Sequence, residues 1–266
     1  MAPVTSPSGA PARRVGTGPG ETVGVDAGAM RFALLPGAAG LGLVPPPSAD
    51  AVPATVLADP AWTGEVLTAR APRQGTGDRR VLATVWWYSA STVLIGPFLA
   101  GLVTGAPVSA RLADTTLHLL AGRTPVAATA GDPAVGGAPA GDLRASLAAV
   151  VAAVAAAGGL RERPLWAIAT DSIANRLLTL GRATGDVAAA TALAGPLAAE
   201  IGAPLPAPRF ADVARPGGGA VRFTRRVSCC LLYRVPHEAT CTACPRRPPA
   251  HREVLLEDAA SRFPPD

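Results

Sequence analysis

The chain has 266 residues, 49% of them hydrophobic and 16% charged, with a formal net charge of +5. That is enough apolar material for one large or two small domains, and it excludes a chain too polar to bury a core. Much of the apolar fraction is alanine, and every basic residue is arginine, a bias of coding as much as of chemistry.

Residues 1 to 20 are rich in Pro, Gly, Ser and Thr without periodicity and read as a disordered leader. Arg13-Arg14 is reminiscent of a twin-arginine signal, but no apolar stretch comes promptly after it and Glu21 and Asp26 interrupt, so export is not expected. Gly16 to Gly20 has neither a preceding strand nor a following Lys-Ser/Thr, so it is not a phosphate loop. From Val81 to Ala110 there is no charged residue, yet Pro97, its glycines and its hydroxyl residues break the run. A buried helix broken near Gly96-Pro97 is expected there, with no stable membrane insertion. Trp86, Trp87 and Tyr88 belong mainly to the core, and one of them is a candidate for lining a ligand cleft.

Thr115 to Leu120 and Pro125 to Thr129 flank a Gly122-Arg123 turn and predict a hairpin, with His118 a strand residue. Asp142 is the expected cap of a helix burying Leu143, Leu147, Val150, Val151 and Val154 and ending at Gly158-Gly159. Pro164 opens another, with Leu165, Ala169, Ile173, Leu177 and Leu180 as its stripe. On a neighbouring face stand Ser172, Asn175, Thr179 and Arg182, with Asp171 nearby. A third helix is expected from about Asp186 to Ile201, and Pro204 to Gly219 reads as a linker. The expected architecture is a mainly helical α+β fold. Its divisions are a 1–20 leader, a 21–213 mainly helical α+β domain and a 214–266 C-terminal domain.

All four cysteines fall in one sixteen-residue window: Cys229 and Cys230 adjacent, then Cys241 and Cys244. Four soft sulfur donors complete the ligand set of one metal centre. The approach segment Val221 to Ser228 alternates loosely and reads as a half-buried strand. Adjacent strand residues point to opposite faces, so a bend at Cys229-Cys230 is required if both are to reach one centre. Only Cys241-Thr242-Ala243-Cys244 has the spacing of a zinc knuckle, which tilts the pattern toward iron–sulfur. Structural zinc and a disulfide or redox-active CxxC stay open on the residues alone, as do His237 and His251 as substitute ligands.

The run Arg225-Arg226-Val227-Ser228-Cys229-Cys230-Leu231-Leu232-Tyr233-Arg234-Val235-Pro236, followed by Cys241-Thr242-Ala243-Cys244-Pro245, resembles the C-terminal signature of FhuF-like ferric-siderophore reductases. Weaker similarity extends to Trp86-Trp87-Tyr88-Ser89 and to Leu165-Trp166 through Asn175. The resemblance implies a 2Fe-2S cluster on Cys229, Cys230, Cys241 and Cys244. It further implies one-electron reduction of a ferric siderophore in the cytoplasm. It makes Trp86, Trp87, Asp171 and Asn175 candidates for a substrate cleft. No nucleotide-binding fingerprint is visible, so an external ferredoxin or reductase is the expected electron donor. No acid/base or nucleophile constellation points to hydrolysis.

Arg222, Arg225, Arg226, Arg234, Arg246, Arg247 and Arg252 surround the cysteines with Glu238 the one acidic residue among them. Cations there hold an anionic cluster and raise its potential. Arg225, Arg226 and Arg234 are expected to steer an anionic chelate or an acidic donor protein. The alternatives are a zinc-stabilised basic module on nucleic acid, and a 2Fe-2S carrier or redox sensor without a chelate site. Only Phe223 and Tyr233 are available for stacking near the patch, so no nucleic acid is expected.

Overall fold

The computed structural model describes residues 31–216 and 218–263. The expectations for the leader, for Arg13-Arg14 and for Gly16 to Gly20 lie outside these residues. The fold is mainly helical with two small antiparallel sheets, as the patterning predicts.

The first sheet has the order β1 (Asp50–Pro53), β2 (Thr115–Leu120), β3 (Thr124–Ala130). The β2–β3 turn takes positive φ at both Gly122 (73°) and Arg123 (54°), the twist that suits a tight hairpin. His118 is buried in β2, with Nε2 3.3 Å from Thr129 Oγ1. The four-residue β1 was not anticipated, because it is mostly exposed and too short to show a period.

The helices, in chain order, are α1 (Pro60–Gln74), α2 (Arg79–Leu94), α3 (Gly96–Thr104), α4 (Pro139–Gly158), α5 (Glu162–Thr184), α6 (Val187–Ala192), α7 (Ala194–Ile201) and α8 (Pro249–Ser261). The uncharged run is two helices meeting at Ile95, with Pro97 in the first turn of the second. Asp78 caps α2 by accepting from Arg80 N (3.0 Å) and Val81 N (3.3 Å). Arg79–Thr104 and Pro139–Gly158 are long and apolar enough to cross a membrane by length and composition, and 67% and 50% of those windows are buried within the protein.

Four expectations are corrected. Asp142 lies in the first turn of α4 rather than capping it, because Pro139 starts the helix earlier, and α5 likewise begins at Glu162, ahead of Pro164. The helix expected over 186–201 is divided at Leu193, since Pro196 has no N–H to continue the ladder to Ala192. The expected linker contains β4 (Phe210–Ala214), paired antiparallel with β5 (Ala220–Thr224). Its five residues sit among prolines and become a strand only through the later partner. Helix α8 then packs Leu256 and Ala260 beside this hairpin, an apolar stripe too thin to announce itself.

The core centres on α2, α4 and α5. The expected stripes of α4 and α5 are buried throughout, and Trp86 and Trp87 are fully enclosed. Burying each such side chain contributes about 1.5–3 kcal/mol. Trp87 Nε1 donates to Leu165 O at 2.9 Å, fixing α2 against α5. Ser172 on α5 meets Ser91 Oγ of α2 at 2.7 Å. This pair of helices forms the floor on which the cysteine segment rests, with Val235 packed against Val81 and Val85.

Candidate metal centre

Strand β5 runs directly toward the cysteines, and the segment between them is fixed from below by one carboxylate. Asp171, 1% exposed on α5, accepts from Val227 N (2.8 Å), Ser228 N (3.0 Å) and Ser228 Oγ (2.5 Å). These bonds take the backbone groups out of a strand ladder just before Cys229, which supplies the bend that the adjacent cysteines require. Leu231 then adopts a left-handed conformation (φ 60°) and opens a single 3-10 turn, Leu232–Arg234. The second pair is set by a turn in which Cys244 N donates to Cys241 O at 3.1 Å, while Arg247 Nε reaches the same carbonyl at 3.0 Å.

The four sulfurs converge. Cys230 lies near enough to Cys241, and Cys229 to Cys244, for each to act on its neighbour's ionisation. Cys230 and Cys244 are buried, whereas Cys229 and Cys241 are partly exposed. The Cys230 thiol is lowered to about 5, first by the hydrogen bond with Cys241, with Arg226 assisting against burial. Cys241 is raised, first by Cys230 and then by burial. Burial raises Cys229, and Cys244 adds to this.

Arg226 is the central cation. Its side chain is 4% exposed and pairs with Asp171 at 3.3 Å. Its Nη1 lies 3.3 Å from Cys241 Sγ and 3.7 Å from Cys230 Sγ, and its guanidinium sits 4.6 Å above the Tyr88 ring. Burial opposes its charge, but Tyr88, Cys230 and Asp171 outweigh that and hold its pKa above the usual arginine value. Its Nη2 is buried without a hydrogen-bond partner among the described residues.

Two features make this site fit a 2Fe-2S cluster. The donor set is four thiols. The orphaned Nη2 is a buried donor on the same guanidinium that reaches two of the sulfurs, as an anionic sulfur centre requires. His237 and His251 are exposed.

The arginines named from sequence go to three different environments. Arg226 is buried beneath the sulfurs, and its edge lines both the cavity at Arg225 and the cleft at Cys241. Arg225 is exposed and faces a cavity of about 520 Å³ with Arg209 and Arg252, in the company of Asp212, Glu253 and Glu257. Arg234 lines a recess of about 580 Å³ that includes Cys229. The substrate-cleft candidates also separate. Trp86 and Trp87 are core residues and Asp171 is a buried anchor, so none of them faces a ligand. Asn175 does line a cleft of about 330 Å³, together with Tyr88, Thr179, Arg182, Phe223 and Cys241. Arg80, Arg161 and Arg163, which line the Cys229 recess, escaped the sequence reading because they lie 66 or more positions before the cysteines; the one available signal was the Arg161-Glu162-Arg163 cluster at a helix start.

Residues 226–246 match the FhuF 2Fe-2S C-terminal domain. No curated protein matches the chain. The matched span holds all four cysteines together with Arg226, Val227 and Ser228, the segment that Asp171 anchors. The chain thus carries, over residues 226–246, a segment similar to the FhuF 2Fe-2S C-terminal domain, which makes a 2Fe-2S cluster its cofactor.

Proposed function

We propose that Cys229, Cys230, Cys241 and Cys244 ligate the cluster and that the protein reduces ferric siderophores by one electron, releasing Fe(II) in the cytoplasm. When bound, a 2Fe-2S cluster supplies one electron at a time, and weaker hard-oxygen binding of Fe(II) lets the metal leave. The observation that carries this reading is the exposure of the two outer sulfurs. Cys229 and Cys241 each line an open recess, and the two recesses have no lining residue in common. One recess admits the chelate to direct contact with a ligand sulfur, and the other is open to an external donor.

The chain's own groups support such a role. Asp171 and Ser228 hold the cysteine segment against α5, so little reorganisation accompanies a change of charge. Arg226 keeps a fixed positive charge against Cys230 and Cys241 whatever the pH of the cell. The Tyr88 ring lies against the Arg226 guanidinium, and Val235 packs onto Val81 and Val85.

The test is anaerobic. Protein prepared without oxygen is analysed for iron and acid-labile sulfide, reduced, and mixed with a ferric chelate in the presence of a chromogenic Fe(II) trap. Bleached protein should regain its colour as Fe(II) appears in equal amount. Absence of sulfide, or reduced protein that no ferric chelate reoxidises, would refute the proposal.

A further inference from the structure

The recess at Cys229 has a chemistry of its own. Four guanidiniums line it, from Arg80, Arg161, Arg163 and Arg234, and no carboxylate does. All four arginines are exposed, so they are free to close on a guest. Carboxylates stand at its border: Asp78, whose Oδ2 lies 3.9 Å from Arg234 Nη1 and whose Oδ1 caps α2, and the exposed Glu162 in the first turn of α5, between Arg161 and Arg163 in sequence. The recess also sits at the N-terminal ends of α2 and α5, and Arg161, the residue preceding α5, offers no side-chain cap. The positive ends of two helix dipoles therefore add to the four formal charges. Between the arginines the walls are apolar, made by Leu160, Pro164, Ala167, Val227 and Leu231.

A cationic rim over apolar walls selects a particular class of chelate. A neutral ferric complex gains nothing from four guanidiniums and leaves them to water. A multiply anionic complex with flat, aromatic arms satisfies both parts at once: its charge meets the rim, and its rings lie against the walls and under the guanidinium planes. The concavity also matters. A recess of about 580 Å³ encloses a small molecule, whereas a folded donor protein meets only its edge.

We infer that the Cys229 recess, lined by Arg80, Arg161, Arg163 and Arg234, is the binding site for an anionic, aromatic-armed ferric chelate of the tris-catecholate type. The inference refines the reductase reading and rests on it for the purpose of the site, but the binding itself is measurable without any electron transfer.

The probe is a hexadentate gallium(III) tris-catecholate, a redox-inert trianion, compared with a hexadentate gallium(III) tris-hydroxamate, which is neutral. Binding to the cluster-loaded protein is followed by calorimetry and by perturbation of the visible circular dichroism of the cluster. The trianion should bind at least about tenfold more tightly than the neutral complex, and the advantage should shrink as salt is raised. Each exposed charge lost should weaken the trianion about threefold, so Arg161→Gln/Arg163→Gln should cost roughly tenfold. Arg209→Gln/Arg252→Gln, in the other arginine-lined cavity, should change nothing. Equal binding of the two complexes, or an equal loss in both double variants, overturns the inference. So does an Arg161→Gln/Arg163→Gln protein that binds gallium normally and fails only with an acidic protein donor. Binding of the trianion with no ferric chelate reduced would leave the recess assigned and remove the reductase function; reduction of hydroxamates with no gallium trianion bound would do the reverse.

Discussion

Replacing Arg226 with methionine keeps most of the side-chain volume and removes one buried charge from beside two sulfurs. In the parent, Nη1 stands 3.3 Å from Cys241 Sγ and 3.7 Å from Cys230 Sγ. A positive donor stabilises the more negative, reduced state, so its loss lowers the potential. A charge-assisted hydrogen bond is worth about 1.5–3 kcal/mol, and only the part that grows on reduction separates the two oxidation states. With about 1.36 kcal/mol and about 59 mV per tenfold, the expected fall is roughly 50–100 mV. The substitution also strands Asp171, 2% exposed in its side chain, without its cation, a loss of about 3–5 kcal/mol in stability. Asp171→Asn/Arg226→Met removes the stranded charge, but its single amide oxygen can replace only one of the two carboxylate oxygens that accept from Val227 N and Ser228 N. It should recover part of the stability and show a smaller fall in potential, because the opposing field of the carboxylate goes too. Arg226→Lys keeps the charge but not the fork that spans Asp171 and both sulfurs, and should lie between. The assay is a redox titration followed by electron paramagnetic resonance on protein of verified sulfide content. An Arg226→Met protein with an intact cluster and a potential within about 15 mV of the parent would refute the argument.

Other parts of the structure give further tests. Arg176, buried on α5, donates to Leu41 O (2.6 Å) and Thr92 O (2.9 Å), and burial lowers its pKa to about 10. Arg176→Leu leaves both carbonyls unpaired and should cost about 2–4 kcal/mol by urea unfolding, with cluster absorbance retained in the folded fraction. Gly181→Ala places a Cβ 2.8 Å from Val187 Cα and 3.0 Å from Asp186 O, neither of which can swing away, so a loss of about 1–3 kcal/mol and a shift of α6 are expected in the same measurement. Asp212 is held below the usual carboxylate range, first by its hydrogen bonds from Arg222 at 2.7 Å. The stability this pair adds is fully present above the ordinary carboxyl value of 3.8 and is lost as the pH falls through the depressed one. The difference in urea midpoint between parent and Asp212→Asn should be constant from about pH 8 to 5, correspond to less than about 1 kcal/mol, and vanish in stronger acid.

The elements that could be read from the chain are those whose signal is local. The stripes of α4 and α5 repeat often enough to show their period, Gly122-Arg123 marks its own turn, and Gly96-Pro97 interrupts a run that is apolar on every side. Elements that depend on a partner were illegible. Strand β4 exists because β5 pairs with it, and β1 because β2 does. The division of α6 from α7 at Pro196 was readable in principle, but the surrounding alanines hid it.

The same division holds for the centre. The spacing of Cys229, Cys230, Cys241 and Cys244 alone determined the donor set, the need for a bend and the family signature, since four soft ligands within sixteen residues can meet without help from the rest of the chain. It could not say which arginines serve them, because charge in sequence carries no direction. Tertiary structure decided that Arg226 turns inward onto Asp171 and two sulfurs, that Arg225 turns away, and that Arg80, Arg161 and Arg163 come from distant helix ends to stand with Arg234 at Cys229. A guanidinium acts only over the few ångströms in which its field is unscreened, and only packing settles which groups come that close.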